Sequence, residues 1–475
     1  MNAPSGGATP LLGAMPLVMK FGGSSVADAE RLRNVAELVK AKAARGGGVL
    51  VVLSALGGAT DGLVAAGRAA SKGDESGAFA ALEALMKRHE RVAAELFDGK
   101  LPDFASQALE QARAELLPLL RGAALLKELP PRSADLLYGR GEILSSTLLA
   151  AYLGVAWADA RGFLKTDSRF GEARPMPEAI RAAAREKLLP LLAAGSIVVT
   201  QGYIGSDASG AATTLGRGGS DYSASLLGAA LGACEIQIWT DVEGILSCDP
   251  RVVPEAHPIE VLGYDEAAEL AAFGAKVLHP ATILPAVELG IPVTVRNSMV
   301  SEGRFTTISR ASGSGRPVTA LASRGPVSVL TVRDPRMLGG AGFLARIFEV
   351  FGRLGVSVDL VSTSEVSVSV TLDPGAPTAQ LEAELSQFAS VRVDTGKAIV
   401  ALVGEELKRT KGVAGMAFGA MRDINVEMIS LGSNEINLSF VVDGDRASEA
   451  LRRLHAAFFE SSPLAATTAP AGAEP

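Results

Sequence analysis

From Leu17 to about residue 310, short apolar runs alternate with stretches of helical periodicity, and this alternation restricts the fold more than any other feature of the chain. The first run (Leu17, Val18, Met19) closes in Lys20-Phe21-Gly22-Gly23-Ser24-Ser25. Leu32, Val35, Leu38 and Val39 then recur at helical spacing, with Ser25 as the expected N-cap and Asp28 in the first turn. Gly46-Gly47-Gly48 stops the helix, and Val49 to Leu53 is the next apolar run. Strand, helix and strand in this order form a βαβ unit with a right-handed crossover. Further strands are expected at Ile197 to Thr200, Glu235 to Thr240 and Pro292 to Arg296, with helices near 75–97, 104–127, 133–153, 176–194, 220–232 and 265–274. The fold class that follows is α/β, a mostly parallel sheet sandwiched by helices, with ligands beyond the carboxyl ends of the strands.

After about Gly313 the pattern changes to a duplicated α+β unit. Val356 to Ser362 precedes Glu365 to Val370, and about seventy residues later Val426 to Ser430 precedes Glu435 to Phe440, each pair following a helix near 343–354 or 411–422. Strict alternation at each repeat's end predicts a half-buried antiparallel sheet in each. A duplicated small unit behind a catalytic domain suggests regulation. The 475 residues thus divide into a tail (1–16), a catalytic domain (17–312), two small domains (313–396 and 397–460) and a second tail (461–475).

The net charge of −7 argues against a nucleic-acid binder but leaves room for an anionic substrate held by local cations. Cys234 and Cys248 give neither a disulfide framework nor a zinc site, which suits a reducing cytoplasm. No apolar run is long enough for a bilayer, and the N-terminus lacks the basic region of a signal peptide.

The Lys20 to Ser25 turn offers glycines that let a phosphate approach the backbone, a helix N-terminus and a formal positive charge. It lacks the Walker spacing. By itself it reads equally as a Gly-rich turn with an exposed lysine. Gly216-Arg217-Gly218-Gly219-Ser220-Asp221 is a second such turn. Its Arg217 suits a carboxylate or phosphate, and Asp221 opens a helix where it can orient a lysine or simply complement the dipole. Trp239-Thr240-Asp241 ends a strand where ribose or adenine edges could bind, and Cys248-Asp249-Pro250-Arg251 continues its loop. Lys276 lies near a helix end. Ser54 and Thr60 flank Gly57-Gly58 at another strand end, and Glu142 stands at the start of an apolar helix, suited to a helix first turn or to a substrate ammonium. His89, His257, His279 and His455 have no metal-ligand spacing and no neighbouring nucleophile in sequence, so Ser-His-Asp hydrolase chemistry finds no support.

Taken together, Lys20 to Val26, Thr200 to Ile204, Thr213 to Ala224, Trp239 to Val253 and Glu266 to Val295 resemble the aspartate kinases of the amino acid kinase family, and the two repeats resemble that family's paired ACT domains. The resemblance implies transfer of the ATP γ-phosphoryl group to the β-carboxylate of L-aspartate. It implies that Lys20 and Lys276 neutralise the triphosphate, that Gly22, Gly23, Gly218 and Gly219 donate backbone N–H groups, and that Asp221 orients the lysines. Arg217 would clamp a substrate carboxylate beside Ser54, Thr60 and Ser220, Glu142 would pair with the substrate ammonium, and Thr240, Asp241, Leu246 and Arg251 would hold the nucleotide. Members commonly carry Tyr where Leu246 stands and often Thr where Ser24 stands. Mg²⁺ is expected to ride on the phosphates, with no dedicated metal cage.

Met337 to Leu344, Ser357-Val358-Asp359 and Thr363-Ser364-Glu365 resemble the lysine-inhibited branch. There Asp359 would face the ammonium of L-lysine and Gly342, Phe343 and Leu344 its α-carboxylate, across a dimer interface, with Met337, Ser357, Val358, Thr363 and Ser364 around it. These residues read otherwise as a plain dimer interface, and threonine, alone or together with lysine, is the alternative effector. The second repeat, with Glu427 in place of Asp359 and a turn lengthened by Leu431 and Gly432, is expected to be structural. Family members interleave the two units, so 318–333 can pair with the second. A homodimer through the ACT units follows, with a tetramer as the alternative, and no fused dehydrogenase is expected. The competing readings are a kinase acting on glutamate, acetylglutamate, carbamate or UMP, and an amino-acid sensor with an inactive kinase domain.

Overall fold

In the computed structural model the described residues are 15–274, 280–300, 303–310, 316–338, 340–431 and 435–460. The chain forms two compact units, Met1–Ile245 with Leu278–Arg310, and Leu246–Val277 with Ala311–Pro475. The loop after Ile245 therefore belongs with the second unit rather than with the strands that flank it in sequence.

The strands in chain order begin with β1 (Leu17–Phe21), β2 (Val49–Leu53), β3 (Ala156–Ala158), β4 (Ile197–Gln201), β5 (Ile204–Ser206), β6 (Ala212–Thr214) and β7 (Glu235–Thr240). There follow β8 (Val261–Gly263) in the second unit, and β9 (Val293–Asn297) and β10 (Phe305–Ser309) in the first. The helices are α1 (Ala29–Ala43), α2 (Ala59–Ser71), α3 (Glu75–Leu96), α4 (Asp103–Leu126), α5 (Pro131–Tyr138), α6 (Arg140–Leu153), α7 (Pro177–Leu192) and α8 (Gly219–Leu231), then α9 (Tyr264–Ala272) in the second unit and α10 (Pro280–Glu288).

In the first unit the strand order is β3-β4-β2-β1-β7-β9-β10, with every neighbouring pair parallel except β9 and β10. β2 (VLVVL) is buried at every position, as a strand covered on both faces must be. Beneath it Met19, Phe21, Leu32, Val35, Leu53, Leu63, Leu82 and Leu116 share one apolar core.

Two local expectations change. Asp28, not Ser25, caps α1: its carboxylate accepts the Arg31 amide at 2.9 Å. Ser25 sits in a 3₁₀ turn (Gly23–Val26), and its hydroxyl donates to the Trp239 carbonyl at 3.3 Å. The long helix expected near 133–153 is two helices meeting at Gly139, where a Cβ would lie 2.6 Å from the Ile204 side chain.

The second unit continues with β11 (Ala320–Arg333), α11 (Phe343–Arg353), β12 (Val361–Thr363), β13 (Ser367–Leu372), α12 (Thr378–Leu385), β14 (Ser390–Val403), α13 (Val413–Ala420), β15 (Met428–Leu431), β16 (Asn437–Asp443) and α14 (Ala447–His455). The expected pair of separate sheets is instead one six-stranded sheet, β12-β13-β11-β14-β16-β15. The reason lies in β11 and β14, each 14 residues long. Residues 328–333 of β11 pair with β13, whereas 320–324 pair with 399–403 of β14. The apolar run of Val356 to Ser362 enters the sheet only at Val361. Beneath the sheet the repeats keep separate cores, one around Ile347, Phe351 and Leu381, the other around Phe440, Leu451 and Leu454.

Candidate active site

Loops at the carboxyl ends of β1, β2 and β4 and the N-termini of α6 and α8 line a cleft of about 640 Å³. Lys20, next to last in β1, is largely buried, and its Nζ lies 2.6 Å from Oδ1 of Asp221 in the first turn of α8. Two segments two hundred residues apart in sequence thus meet as an ion pair. Gly218 holds the left-handed conformation (φ +73°) at the N-cap of α8, which lets the Arg217 turn fold back over the helix end. Arg217, Gly218, Gly219 and Ser220 line one wall; Gly23, Ser54, Gly57 and Thr60 line another.

The two glycine loops touch. A Cβ on Gly23 would stand 3.4 Å from the Gly57 Cα and 3.2 Å from the Ala55 carbonyl. Arg88 of α3 fastens both, donating to the carbonyl of Gly57 and, at 3.0 Å, to that of Ala27. Gly202 makes a second close approach: a Cβ there would fall 2.6 Å from that of Ser220.

Not every expected donor is available. The Gly22 amide donates to the Trp239 carbonyl (3.2 Å) and the Gly219 amide to that of Gly216 (3.1 Å). The cradle's candidate amides are therefore those of Gly23 and Gly218. The expectation that all four glycines donate is corrected to this extent.

Glu142 lies at the start of α6, 4% exposed, and lines the cleft. Burial pushes its carboxyl up to about 8, opposed by backbone N–H bonds. A buried acid with this lift is suited to a cationic ligand group, because a nearby positive charge restores its ionised form. Its neighbour Arg140 points elsewhere, to Glu115, and burial lowers its pKa to about 10.

Gly171, Glu172 and Tyr203 also line the cleft. Sequence reasoning assigned them no role. Tyr203 carries the one available sign, its place directly after β4 and Gly202, and it holds a positive φ of +68°. Burial raises its phenol pKa.

The chain's relatives are consistent with this geometry. A model of the amino acid kinase family matches residues 15–297, and an ACT domain model matches 400–458, within the second repeat. Lysine-sensitive aspartokinase 3 of Escherichia coli is 39% identical over 457 residues, covering 94% of this chain and 99% of that one. The chain belongs to the aspartokinases. The solved E. coli aspartokinase III with lysine and aspartate superposes with a TM-score of 0.78, and the form with aspartate and ADP with 0.79. Each is 39% identical and covers 93% of this chain and 99% of the other.

Within this aspartokinase the remaining candidates fall into three groups. Lys276 and His279 lie outside the described residues. Thr240 ends β7 and Asp241 follows it, but neither lines the cleft, and the Thr240 hydroxyl donates to the Asp241 carboxylate at 3.1 Å. Leu246 and Arg251 belong to the second unit; Arg251 is forked onto Asp249, with one contact of 2.6 Å, and largely exposed.

Of the effector candidates, Gly342, Leu344, Ser357, Asp359, Thr363 and Ser364 are exposed, while Met337, Phe343 and Val358 pack against the first repeat's core. Gly342 is the left-handed N-cap of α11. Asp359 is not a lone charge: Arg324 pairs with it at 3.2 Å and also holds Asp373.

The histidines bring one surprise. His455 Nε2 lies 3.0 Å from the Ser247 hydroxyl and its Nδ1 lies 3.0 Å from Glu460, a pairing hidden by a separation of 208 residues. No histidine has a nucleophile beside it in sequence, but in the fold His455 meets Ser247. Ser247 and His455 are both fully buried, so the group ties the second unit together rather than meeting substrate. Among the described residues no cluster of three or more His, Cys, Asp or Glu is placed to hold a metal ion, and no helix is long and apolar enough to cross a membrane.

Proposed function

We propose that this protein transfers the γ-phosphoryl group of ATP to the β-carboxylate of L-aspartate, giving 4-phospho-L-aspartate, and that free L-lysine inhibits it. The observation that carries the reading is one cleft uniting a buried Lys20–Asp221 pair with Arg217 and Glu142. Phosphoryl transfer asks little covalent chemistry of the protein; it asks for alignment and charge neutralisation.

Glu142 takes the substrate ammonium and Arg217 its α-carboxylate, so the β-carboxylate is left facing Lys20. Lys20 offers its charge to the transferring group, and Asp221 keeps the ammonium aimed there at low conformational freedom. Ser54, Thr60 and Ser220 offer hydroxyls to the substrate, and the Gly23 and Gly218 amides donate to phosphate oxygens. Mg²⁺, carried by the nucleotide, supplies further neutralisation of the phosphates. Thr240, Asp241, Leu246, Arg251 and Lys276 serve the nucleotide, with Lys276 the second charge at the triphosphate. The reaction runs in the cytoplasm, where both thiols stay reduced.

Inhibition rests on the first repeat. Lysine binds between two copies of the chain, its ammonium at Asp359 and its α-carboxylate at the N-terminus of α11, and favours an inactive arrangement through differential affinity. ATP-dependent formation of aspartyl hydroxamate with Mg²⁺, with and without millimolar L-lysine, tests both parts. Suppressed product supports the whole reading, unsuppressed product redirects the effector to threonine, and no product from aspartate overturns it.

A further inference from the structure

Asp135 on α5 is 1% exposed and does not line the cleft, yet it binds two segments that do. Both of its oxygens accept the Gly171 amide, at 3.0 Å each. One also accepts the Thr214 amide at 2.9 Å, and the other the Thr214 hydroxyl at 2.8 Å. Every incoming group is a donor, which suits a carboxylate, an acceptor at both oxygens. Thr214 is the last residue of β6, two positions before the Gly216 to Asp221 turn, and its carbonyl accepts the Ala173 amide at 2.9 Å. Gly216 seats directly on this clamped loop: a Cβ there would lie 3.1 Å from Glu172 Cγ and 3.4 Å from the Gly171 carbonyl.

We propose that Asp135 is a positioning residue for aspartate, clamping the 171–173 loop to β6 so that the Arg217 turn is presented at a fixed height over the cleft. Without its acceptor oxygens, the buried Thr214 amide loses its partner and the exposed Gly171 loses its tie to α5, and the turn loosens while the Gly23 and Gly57 loops on the other wall do not. This rests on the assignment of Arg217 to the substrate carboxylate.

Steady-state kinetics of the full-length D135A, D135N and T214V enzymes separate the possibilities. In D135A the KM for aspartate rises at least tenfold, while that for ATP stays within twofold; D135N recovers part of the loss, and T214V, which removes a single donor, raises the aspartate KM about threefold to tenfold. An aspartate KM within twofold of the parent in D135A overturns the proposal. So does an equal rise in both KM values with a lowered melting temperature. If D135A does not fold, T214V decides, and an unchanged aspartate KM there refutes the clamp. R217A, measured in parallel, reports on the Arg217 assignment alone: a normal aspartate KM in R217A beside a raised one in D135A would discard that assignment and keep the clamp.

Discussion

Lys20 combines an apolar strand position with a formal charge, and only its partner makes the combination tolerable. Its side chain is 10% exposed and sits 2.6 Å from Asp221. Burial of such a pair costs desolvation, so each charge depends on the other and losing either leaves an uncompensated charge in a sheltered place. Lys20→Ala is expected to lower kcat by about a hundredfold to a thousandfold, the usual scale for losing one preorganised charge-stabilising donor, with aspartate binding changed far less. Single-turnover phosphoryl transfer measures this directly. Glu142 carries a pH signature with a defined sign. Burial raises its carboxyl to about 8, so below that pH it is mostly protonated. Binding a substrate ammonium requires the ionised form and must release a proton. The aspartate KM should therefore fall as pH rises from 6 to 8, by up to about tenfold per pH unit. Titration calorimetry in buffers of different ionisation enthalpy should show the released proton, and E142Q should bind weakly with a flat profile. The raised carboxyl of Glu142 was not readable from the sequence. It placed Glu142 at a helix start but could not say that the helix end is buried.

At the level of elements, the strand-to-helix turns carry the site. Their glycines were legible because so few residues tolerate a left-handed N-cap such as Gly218. Their contacts were not. Gly202 entered only within the Thr200 to Ile204 stretch, with no contact assigned, yet a Cβ there would fall 2.6 Å from the Ser220 Cβ. Gly202→Ala must push the start of α8 outward, and with it Asp221. A drop in kcat/KM for aspartate of about a hundredfold is expected, on the scale of a misplacement near one ångström. A melting temperature within a few degrees of the parent would show that alignment, not folding, is lost. Ser25 shows the opposite error. A serine before a helix reads as a cap, but its hydroxyl donates to the Trp239 carbonyl, and Asp28 caps instead. Tertiary partners decided between two residues of equal local propensity.

Across the whole chain, the alternating and duplicated patterns announced the parallel sheet and the two repeats, because hydrophobic periodicity survives without knowledge of neighbours. The joining of the repeats into one sheet was pointed to only by the resemblance, which let 318–333 pair with the second repeat; periodicity does not show it, since it depends on which half of β11 and β14 meets which strand. That joining predicts shared stability. Phe440→Ala, in the second repeat's core, should cost about 3–5 kcal/mol. It should lower one common transition for both repeats in hydrogen exchange, not leave the first repeat protected. For regulation, Asp359→Ala is expected to relieve lysine inhibition at least tenfold with uninhibited turnover close to the parent. Because Arg324 holds Asp359 at 3.2 Å, R324A should weaken inhibition less than D359A does.

The central place of β1 has a consequence for how the protein is made. One edge of this strand pairs with β2, about thirty residues downstream, but the other waits for β7 at Glu235–Thr240. At about 5–20 residues per second, synthesis leaves that second edge open for roughly ten to forty seconds on the ribosome. An apolar strand with a bare edge is a template for wrong pairing. β1 is thus completed only after β2 and β4, whose partners are all made by Gln201. The nascent chain should be most prone to aggregate, and most dependent on chaperones, in that interval rather than after release.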